Sequence, residues 1–575
     1  MLKITRSLIA ITVCTLTTAH AAMQKEPTEA EFFNVDKVRD VRITVDEDDW
    51  AELCSETRNM VNSLDMVQRK RPYNYVKAKV TIDGLSLGTV GLRKKGFLGS
   101  QDTKRPSLKV RLDKYQKGHT FAGLDRLTLN NNKQDRALLS QYLTYDTFRR
   151  VGLAAPRLSF AHVWVNGKDL GVYSNVESAR PTFLKHHFGD DSGKMYEGTV
   201  VDFIEDRIAR FERKFDDKKP DDRAGLKAIA KLVEEKDVDV EQLDRFVDVD
   251  EFLKFWATES LIGFWDGYCG NQNNYFIYSH HEDQRLRFIP WGADVAFAKQ
   301  FIGQLFKAGN PESAAGFAML PNRLYQNETM RDRYFATLNK LLDTVWDEDR
   351  LIKETHRINE LLEPHVNEGQ QDYMTQSDSV RRFIKSRRDE IAAELKDGPP
   401  QVKFHKRKTV CATQVGELKG TFETQWKSDE PGSSSGFELI IDGAPVKLVD
   451  VNTTLAEGGG NPMMGLGPRS VTLEITGNRE DNQKPVVIAI VVSGPVFTDQ
   501  HKHAATAHGS VTEGKSGFFR TPRTLSIAGK VQFTKCSREQ GEPVEGRYTL
   551  RLLQMDDGYP KKPVSYTHLT LPTKA

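Results

Sequence analysis

Carboxylate and amide side chains surround two strand-like segments of the sequence. Asp266 stands in "FWDGYCGNQNNYFIY", with Asn271 five residues later and Asn274 directly before the apolar run. Asp294 follows a second apolar run in "RFIPWGADVAF". Carboxylate and amide oxygens hold the divalent ion in phosphoryl-transfer sites, where a further Asp orients the attacking hydroxyl. The alternative is that these polar groups cap turns beside buried strands.

Residues upstream of this region are candidates for binding the phosphates of a nucleotide. Gly96, Gly99 and Ser100 lie in the loop "KKGFLGSQDTKRPS", between two strand-like segments. Lys109 lies on the next strand, on the same face as Arg111. A glycine-bearing loop, a strand lysine, one helix, an Asp-x-x-x-x-Asn spacing and a later Asp follow the order expected of a protein-kinase-like fold.

The elements that must position these residues can be predicted from periodicity and turn signals. Alternating strands flank the hairpin turns Asp83-Gly84 and Asn166-Gly167, and a helix that Asp135 caps covers "DRALLSQYLTYDTFRRVGL". Residues from about 221 to 395 read as mainly helical, interrupted by the hairpin-like "NYFIYSHHEDQRLRFIPW". Five strand-like runs follow residue 400. We therefore predict an α+β chain, with a two-lobed domain followed by an all-β, sandwich-like domain.

Several of these segments resemble those of a known family. The stretches "VGLRKKGFLGS", "LDRLTLNN", "LLSQYLTYDTFRRVGLAAPR", "VWVNGKDLGVYSNVES", "DGYCGNQNNYFIY" and "RFIPWGADVAF" are similar to the CotH kinase family, the spore-coat-protein-H-like atypical kinases. The resemblance spans roughly residues 38–395. It implies a kinase-like fold that binds ATP with Mg²⁺ or Mn²⁺ and phosphorylates Ser or Thr in secreted or coat proteins.

The resemblance also implies roles for single residues. Asp266 would be the catalytic Asp and Asp294 the metal-binding Asp. Asn274 matches the Asn that precedes the family's strand, whereas Asn271 is the metal ligand that kinase spacing favours. Many family members read W-D-x-D where this chain has "WGAD", so the metal site keeps only the second carboxylate.

Other assignments follow the order of elements in kinases. Lys109 is expected to bind phosphate, with Arg111 as its substitute. Its acidic partner on the helix would be Asp146, although Gln141 and others compete. Glu177 lies where a kinase connects its lobes, so it could contact adenosine, or it could be a surface acid before the next helix.

Composition and a targeting signal limit the possible partners and the cellular location. The 575 residues are 28% charged with a formal net charge of +2, which argues against bulk affinity for nucleic acid or membranes. Residues 1–21 combine a basic start, an apolar stretch and "AHA", which predicts a signal peptide. No other segment approaches 18 apolar residues, so we expect no stable membrane span and a secreted, periplasmic or cell-surface location.

The predicted domain boundaries follow from these signals. Residues 22–395 form the kinase-like domain, 396–400 ("KDGPP") a linker and 401–563 the β-rich domain. The stretch "VSYTHLTLPT" within residues 564–575 resembles translated sequencing-adapter sequence rather than native protein. We exclude this tail from the fold prediction.

Cysteine and histidine positions give two further expectations. In an oxidising compartment Cys411 and Cys536 are expected to form a disulfide, and Cys54 and Cys269 could pair or stay free. The pairs His186-His187 and His280-His281 are expected to be exposed, with neighbouring side chains pointing apart and no third metal ligand.

The function that these features favour is that of a secreted atypical Ser/Thr kinase. It would transfer the γ-phosphate of ATP to a surface, coat or extracellular protein. One rival is a catalytically inactive, kinase-like binding protein that acts through its β domain. A second rival, a carbohydrate-active or carbohydrate-binding protein, is weakened because Trp426 is the only Trp of the β region.

Overall fold

A computed structural model gives the structure of the chain. It describes residues 25–58, 64, 73–97, 100–215, 223–299, 311–401, 411–428, 430–459, 469–493, 503–514 and 522–556. The expected signal peptide, the tail 564–575 and Gly99 lie outside these residues. Helices and sheets alternate up to the linker, and an all-β region follows it, as predicted. Within the described ranges, no helix combines the length and apolar character needed to span a membrane.

A closed barrel forms the first part of the described structure. Its strands are β1 (Arg39–Val45), β2 (Val76–Ile82), β3 (Leu85–Lys95), β4 (Ser107–Arg111), β5 (Arg126–Asn130), β6 (Leu158–Val165) and β7 (Lys168–Val176). They are ordered β1-β2-β3-β4-β5-β7-β6, and parallel pairing of β1 with β6 closes the barrel. Both predicted hairpin turns are confirmed, since Asp83-Gly84 and Asn166-Gly167 have positive φ and join antiparallel neighbours.

Short helices flank and interrupt the barrel strands in the sequence. They are α1 (Glu29–Phe32), α2 (Glu47–Ser55), α3 (Ser140–Arg150) and α4 (Pro181–Phe188). The predicted capping by Asp135 is confirmed, because its carboxylate accepts the backbone N–H groups that open α3 at 3.1–3.2 Å. Leu143, Tyr145 and Phe148 of α3 are buried in a core shared with the helical region.

The helical region surrounds a small sheet. Its helices are α5 (Ala224–Glu234), α6 (Val240–Asp244), α7 (Val249–Leu261), α8 (Tyr268–Asn271), α9 (Met319–Gln326), α10 (Glu328–Thr344), α11 (Glu348–Leu362) and α12 (Tyr373–Glu394). The sheet strands are β8 (Lys194–Gly198), β9 (Glu212–Arg213), β10 (Tyr275–Ser279) and β11 (Leu286–Pro290), ordered β11-β10-β8-β9. The predicted hairpin is β10–β11, and it carries the candidate site residues at one of its ends.

The C-terminal region is one antiparallel sheet. Its strands are β12 (Cys411–Gln425), β13 (Ser433–Ile441), β14 (Ala444–Val446), β15 (Leu448–Gly459), β16 (Arg469–Arg479), β17 (Pro485–Ser493), β18 (Ala505–Glu513), β19 (Arg523–Lys535) and β20 (Pro543–Asp556). The order is β14-β13-β12-β20-β19-β18-β17-β16-β15. The sheet curls on itself, because Gly432 N–H donates to the Thr453 carbonyl at 2.8 Å. A single curled sheet around one apolar core therefore replaces the predicted sandwich.

The expected disulfide between Cys411 and Cys536 is wrong. Neither cysteine forms a disulfide in the structure, nor does Cys54 or Cys269. Cys411 pairs with Asp556 at one end of β20, whereas Lys535, the neighbour of Cys536, pairs with Glu545 near the other end. At about 3.4 Å per residue these positions lie more than 30 Å apart, and a disulfide needs Cα atoms within about 7 Å.

Candidate active site

The loop between α7 and β10 gathers the polar residues that the sequence singles out. The Asp266 carboxylate accepts hydrogen bonds from three side-chain amides, at 2.6 Å from Asn271, 3.2 Å from Asn273 and 2.7 Å from Asn274. Asn274 also has a φ of +50°, a conformation that Asn tolerates better than most residues. The three amides therefore fix the Asp266 carboxylate, and Asn274 also suits the backbone conformation of the turn.

Two buried carboxylates outside this loop hold it in place. Glu259 on α7 accepts the backbone N–H groups of Tyr268 and Cys269, at 3.0 and 2.8 Å. Asp202, which follows β8, accepts the Tyr268 hydroxyl at 3.0 Å and the Gln272 amide at 2.8 Å. Burial raises the pKa of Glu259 to about 8, although the two N–H donors act in the opposite direction.

Asp294 lies in the turn after β11 and has an incomplete environment. Its Oδ1 atom is buried and has no hydrogen-bond partner among the described residues. Burial raises the pKa of Asp294 to about 7; Lys95 opposes this rise, and Asp135 and Asp266 add to it. A buried carboxylate oxygen without a donor is costly unless a cation completes its environment. The residues present therefore fit a divalent metal ion.

Gly292 accounts for the departure from the family's W-D-x-D pattern. It has a φ of +56°, and a Cβ built on it would lie 2.7 Å from Oδ1 of Asn274. The Asn274 side chain thus fills the space that a carboxylate side chain at position 292 would need. Its amide oxygen stands beside the turn that carries Asp294, so both residues offer the hard oxygen ligands that Mg²⁺ prefers.

The outer face of the barrel carries a group of cations that includes Lys109. Arg93 on β3 and Lys109 on β4 are directly paired, so both point outwards from the barrel core. Burial lowers the pKa of Lys109 well below its usual value, and Arg93, Lys214, Arg126 and Lys95 lower it further. Within the described part of the chain, no acid forms an ion pair with Lys109. A bound anion would relieve this repulsion. Phosphate is the anion that a kinase-like fold is expected to bind.

Lys95 connects this cationic face to the Asp294 turn. Its ammonium donates to Oδ1 of Asn130 and lies 5.9 Å from the centre of the Trp291 ring. Asn130 in turn donates to the side-chain oxygen of Gln141 on α3, at 2.6 Å. A neutral amide chain therefore links Lys95 to the helix, where a kinase-like arrangement would have an acid.

The expected pair between Lys109 and Asp146 is wrong. Asp146 instead binds two arginines, Arg150 at 2.8 Å and Arg350 at 3.2 Å. Gln141, the alternative that the sequence left open, accepts a hydrogen bond from Asn130 of the barrel strand β5. This bond links Gln141 to Lys95 rather than to Lys109, because Asn130 also accepts the Lys95 ammonium.

The glycine-bearing loop is closed by its own hydrogen bonds. Gly96 has a φ of +116°, and a Cβ built on it would lie 2.7 Å from Oγ of Ser100. The Ser100 hydroxyl accepts the Phe97 N–H at 2.9 Å, and the Ser100 N–H donates to the Phe97 carbonyl at 3.2 Å. Only glycine fits at position 96 without moving Ser100. The proposed phosphate contacts of Gly96 and Ser100 stay predictions, and Gly99 lies outside the described residues.

Arg111 and Glu177 are already engaged with other side chains. Arg111 forms a two-point ion pair with Asp113, at 2.7 and 3.2 Å. Glu177 is buried and binds the Arg157 guanidinium at 2.6 and 3.0 Å. Glu177 is thus not a surface acid, and its expected contact with adenosine, like the role of Arg111, stays a prediction that requires these pairs to open.

Comparison with known proteins places the site within a family. A family model described as CotH kinase protein matches residues 92–396, more than half of the chain. The chain belongs to the CotH kinase family. The matched range contains every residue of the candidate site and ends before the C-terminal sheet.

Individual relatives within and near this family are distant. Inner spore coat protein H of Bacillus subtilis is 25% identical over 297 residues, covering 47% of this chain and 78% of that protein. Spore coat protein homolog 1 of Rhizopus delemar is 22% identical over 236 residues, covering 38% of each. Among solved structures, the Helicobacter pylori proinflammatory kinase CtkA matches at 10% identity over 50% of this chain and 91% of that one, with a TM-score of 0.24.

Sequence reasoning missed the residues that support the site. Lys95 had a usable signal, because it alternates with Arg93 on the strand that pairs with Lys109. Asp202 and Glu259 gave no signal. They lie 64 and 7 residues before Asp266, and a buried acid reads in sequence like any other acid.

Proposed function

We propose that this CotH kinase family protein is an ATP-dependent protein kinase that phosphorylates Ser or Thr in a surface, coat or extracellular protein. The observation that carries the proposal is the Oδ1 atom of Asp294, which is buried and lacks a hydrogen-bond partner in the described parts of the chain. It stands within the electrostatic influence of Lys95 and Asp266, and Lys95 in turn acts on Lys109. Carboxylate, amide and lysine groups in this arrangement are the parts that phosphoryl transfer requires.

The cationic face would bind the phosphate groups. Lys109 is repelled by Arg93, Lys214, Arg126 and Lys95, so a bound polyphosphate would replace like-charge repulsion by attraction. Lys95 would bind the phosphate oxygens nearest to Asp294 while Asn130 keeps its ammonium in place. Most of the rate enhancement would then come from positioning and charge neutralisation.

Asp294 and Asn274 would hold Mg²⁺ or Mn²⁺, with Asn271 as the alternative amide. A bound divalent ion would supply charge neutralisation at the phosphate oxygens. Asp294 offers a carboxylate oxygen that lacks any other partner among the described residues. Asn274 is the better candidate, because its amide oxygen lies 2.7 Å from the Cβ position at Gly292, in the turn that carries Asp294.

Asp266 would orient the acceptor hydroxyl. Its carboxylate is fixed by amides of the loop, and the loop is fixed by Asp202 and Glu259. A rigid carboxylate can accept the hydrogen bond of a Ser or Thr hydroxyl and direct its oxygen towards the phosphate. The three amide donors stabilise the ionised form, which is the form that accepts a proton.

The direct test is transfer of label from γ-labelled ATP to the protein itself and to casein, with Mg²⁺ or Mn²⁺. We expect transfer by the wild-type chain and its loss in Asp266→Ala and Asp294→Ala. The matched control is Asp332→Ala on α10, which removes an exposed acid and should leave transfer unchanged. Circular dichroism of each variant separates lost chemistry from lost folding.

An inactive, kinase-like binding protein is the second candidate, and the Gly292 turn favours it. Only one carboxylate remains in "WGAD", and the Asn274 side chain fills the space of the other. A wild-type chain that shows neither label transfer nor a nucleotide-dependent rise in melting temperature would contradict the kinase proposal and support this candidate. Export through residues 1–21 belongs to both candidates, and fractionation of the producing cells tests it.

A further inference from the structure

The β10–β11 hairpin has a second polar end that the proposed kinase chemistry does not use. Tyr275 pairs with Pro290 and Ser279 with Leu286, so the turn after Ser279 lies at the opposite end from Asn274 and Asp294. The two ends are separated by the length of a five-residue strand, or about 17 Å. His280, His281 and Glu282 occupy this far turn.

The two histidines of the turn are organised rather than splayed apart. Their rings lie 4.4 Å apart between centroids and are stacked at an interplanar angle of 30°. Their side chains are only 15% and 24% exposed. Ligand atoms of His280, His281 and Glu282 all lie within 4.8 Å of one another. The sequence-based expectation of an exposed pair that points apart and lacks a third ligand is therefore wrong.

The His281 ring faces a carboxylate on each side without forming a hydrogen bond to either. Its Nε2 lies 3.8 Å from Glu282 and its Nδ1 lies 3.9 Å from Asp190. The Nδ1 atom is buried and has no hydrogen-bond partner among the described residues. Metal-binding histidines commonly donate their second ring N–H to a carboxylate, which fixes the ring and its tautomer. Asp190 stands where that second carboxylate belongs.

The charges around the turn are compatible with a bound cation. The nearby guanidinium groups are compensated by acids. Arg285 binds Asp283 at 2.9 Å, and Arg287 binds Glu251 at 3.0 Å.

We propose that His280, His281 and Glu282 bind one Zn²⁺ ion, with Asp190 positioning the His281 ring. Two imidazoles and one carboxylate are a ligand set that Zn²⁺ takes in a tetrahedral site, with water as the fourth ligand. Imidazole ligands select Zn²⁺ over Mg²⁺, so this site is chemically distinct from the oxygen-lined site at Asp294. His280 would give up the long hydrogen bond, 3.3 Å, that its Nδ1 accepts from the Glu282 N–H.

The bound ion would link two segments that are distant in sequence. Asp190 belongs to the connection between α4 and β8, where the Ser192 N–H holds its carboxylate at 2.6 Å. The histidines belong to the hairpin that carries Asn274 and Asp294 at its other end. Zn²⁺ would therefore fasten the hairpin from the side remote from the phosphates, as a structural ion.

The test is Zn²⁺ titration by calorimetry of the chelator-treated full chain carrying Asp294→Asn, so that the other candidate metal site contributes nothing. We expect one Zn²⁺ per chain, and visible absorption typical of four-coordinate Co²⁺ when Co²⁺ is used instead. Glu282→Gln, an exposed substitution that should not disturb folding, and His281→Ala should each remove most of the affinity. Asp190→Asn should weaken binding about tenfold.

His186→Ala is the matched control, since it removes an exposed histidine from α4, the helix that precedes Asp190. Its Zn²⁺ affinity should equal that of the parent chain. Binding that is the same in the His281→Ala, Glu282→Gln and His186→Ala chains would overturn the proposal, as would Co²⁺ absorption of a six-coordinate, oxygen-only site. None of these readouts depends on phosphate transfer, so the result stands apart from the kinase test.

Discussion

The barrel and the C-terminal sheet are both β-structures wrapped around an apolar core, but they treat outward-facing charge differently. In the C-terminal sheet, Arg479 binds Asp481 at 2.9 Å and Glu513 at 2.8 Å, and Arg523 binds Asp442 at 2.6 Å. On the barrel, Lys109 forms no ion pair with a described residue, and Arg93, Lys214, Arg126 and Lys95 repel it. Ion pairs formed within a domain contribute to the stability of that domain. A cation without an acidic partner is instead available to bind an anionic ligand.

The interiors of the two β-structures also differ in whether they contain a charged side chain. The core of the C-terminal sheet is lined by apolar side chains from all of its longer strands. The barrel buries Lys94 completely and holds its ammonium 2.6 Å from the Cys54 carbonyl. Consecutive lysines of β3 thus face opposite ways, with Lys94 in the barrel and Lys95 towards Asp294. Strand β3 therefore carries a lysine on each face, and an apolar residue would pack more favourably at the buried position.

The largest expected effect comes from removing one outward cation from each structure. Lys109→Met should lower nucleotide affinity about 10- to 100-fold, because charged hydrogen bonds contribute about 1.5–3 kcal/mol. The same change should raise the free energy of unfolding, since it removes like-charge repulsion. Arg479→Met should instead lower the free energy of unfolding by about 1 kcal/mol and leave nucleotide affinity unchanged.

Urea unfolding and nucleotide titration of both variants measure these changes. If Lys109→Met lowers the free energy of unfolding as much as Arg479→Met does, Lys109 has an acidic partner in solution. The contrast drawn between the barrel and the C-terminal sheet would then be wrong.

The second effect concerns Lys94 and the pH dependence of stability. Burial lowers the pKa of Lys94 to about 8, compared with 10.5 for an ordinary lysine. Between these values the unfolded chain binds more protons than the folded chain, so the stability contributed by Lys94 rises with pH. The gain approaches about 3 kcal/mol by pH 10.5 and is lost as the pH falls through 8.

Unfolding free energies of the wild-type and Lys94→Met chains at pH 8 and pH 10 test this prediction. The wild-type chain should gain stability relative to the variant as the pH rises. Parallel pH profiles would contradict a buried lysine with a lowered pKa.

A third prediction compares two glycines with positive φ. Gly443, in the turn between β13 and β14, has a φ of +79° and open space around its Cβ position, whereas a Cβ at Gly292 meets Asn274. Gly443→Asp should cost about 1 kcal/mol in backbone strain. Gly292→Asp should cost about 1–2 kcal/mol more, because the added side chain displaces that of Asn274.

Thermal or urea unfolding measures both changes, and a double variant isolates the clash. Asn274→Ala alone measures the loss of the Asp266 hydrogen bond and the strain of Ala at positive φ. Relative to that single variant, adding Gly292→Asp should cost only the backbone strain. Equal losses for Gly292→Asp and Gly443→Asp would mean that Asn274 moves aside freely.

The smallest expected effect is that of reducing agent. Because Cys411 and Cys536 lie near opposite ends of β20, dithiothreitol should not change the melting temperature. Mass spectrometry of the intact, alkylated chain should show four modified thiols after removal of residues 1–21. A disulfide mapped to the Cys411 and Cys536 peptides, together with lower stability on reduction, would show that the C-terminal sheet has a different register.

Sequence reasoning reached the parts of the fold that local chemistry dictates. Asp83-Gly84 and Asn166-Gly167 define their hairpins because few other residues adopt positive φ at low cost. Asp135 was recognisable as a cap, and the spacing of Asp266 and Asn271 did bring those side chains together. By contrast, the parallel pairing of β1 with β6 joins segments more than 100 residues apart, and no local pattern specifies it.

Long-range burial explains the other failures. Asp146 was a reasonable partner for Lys109 by helix position, but it pairs with Arg150 on its own helix and with Arg350, which the packing of α11 brings near. Strands β12 and β18 were not predicted, since "CATQVGELKGTFETQ" and "ATAHGSVTE" mix glycine and polar residues and gain their strand geometry from neighbours in the sheet.

The carboxylate of Asp202 sets an order of events during synthesis. It binds the Phe203 N–H, the Tyr268 hydroxyl, the Gln272 amide and, at 2.7 Å, the Met319 N–H. A nascent chain that has reached Asp294 contains every proposed ligand, yet it lacks the donor that completes the support beneath them. We therefore expect the support beneath the Asp266 loop to be complete only once residue 319, about three quarters of the way through the family-matched region, has been synthesised.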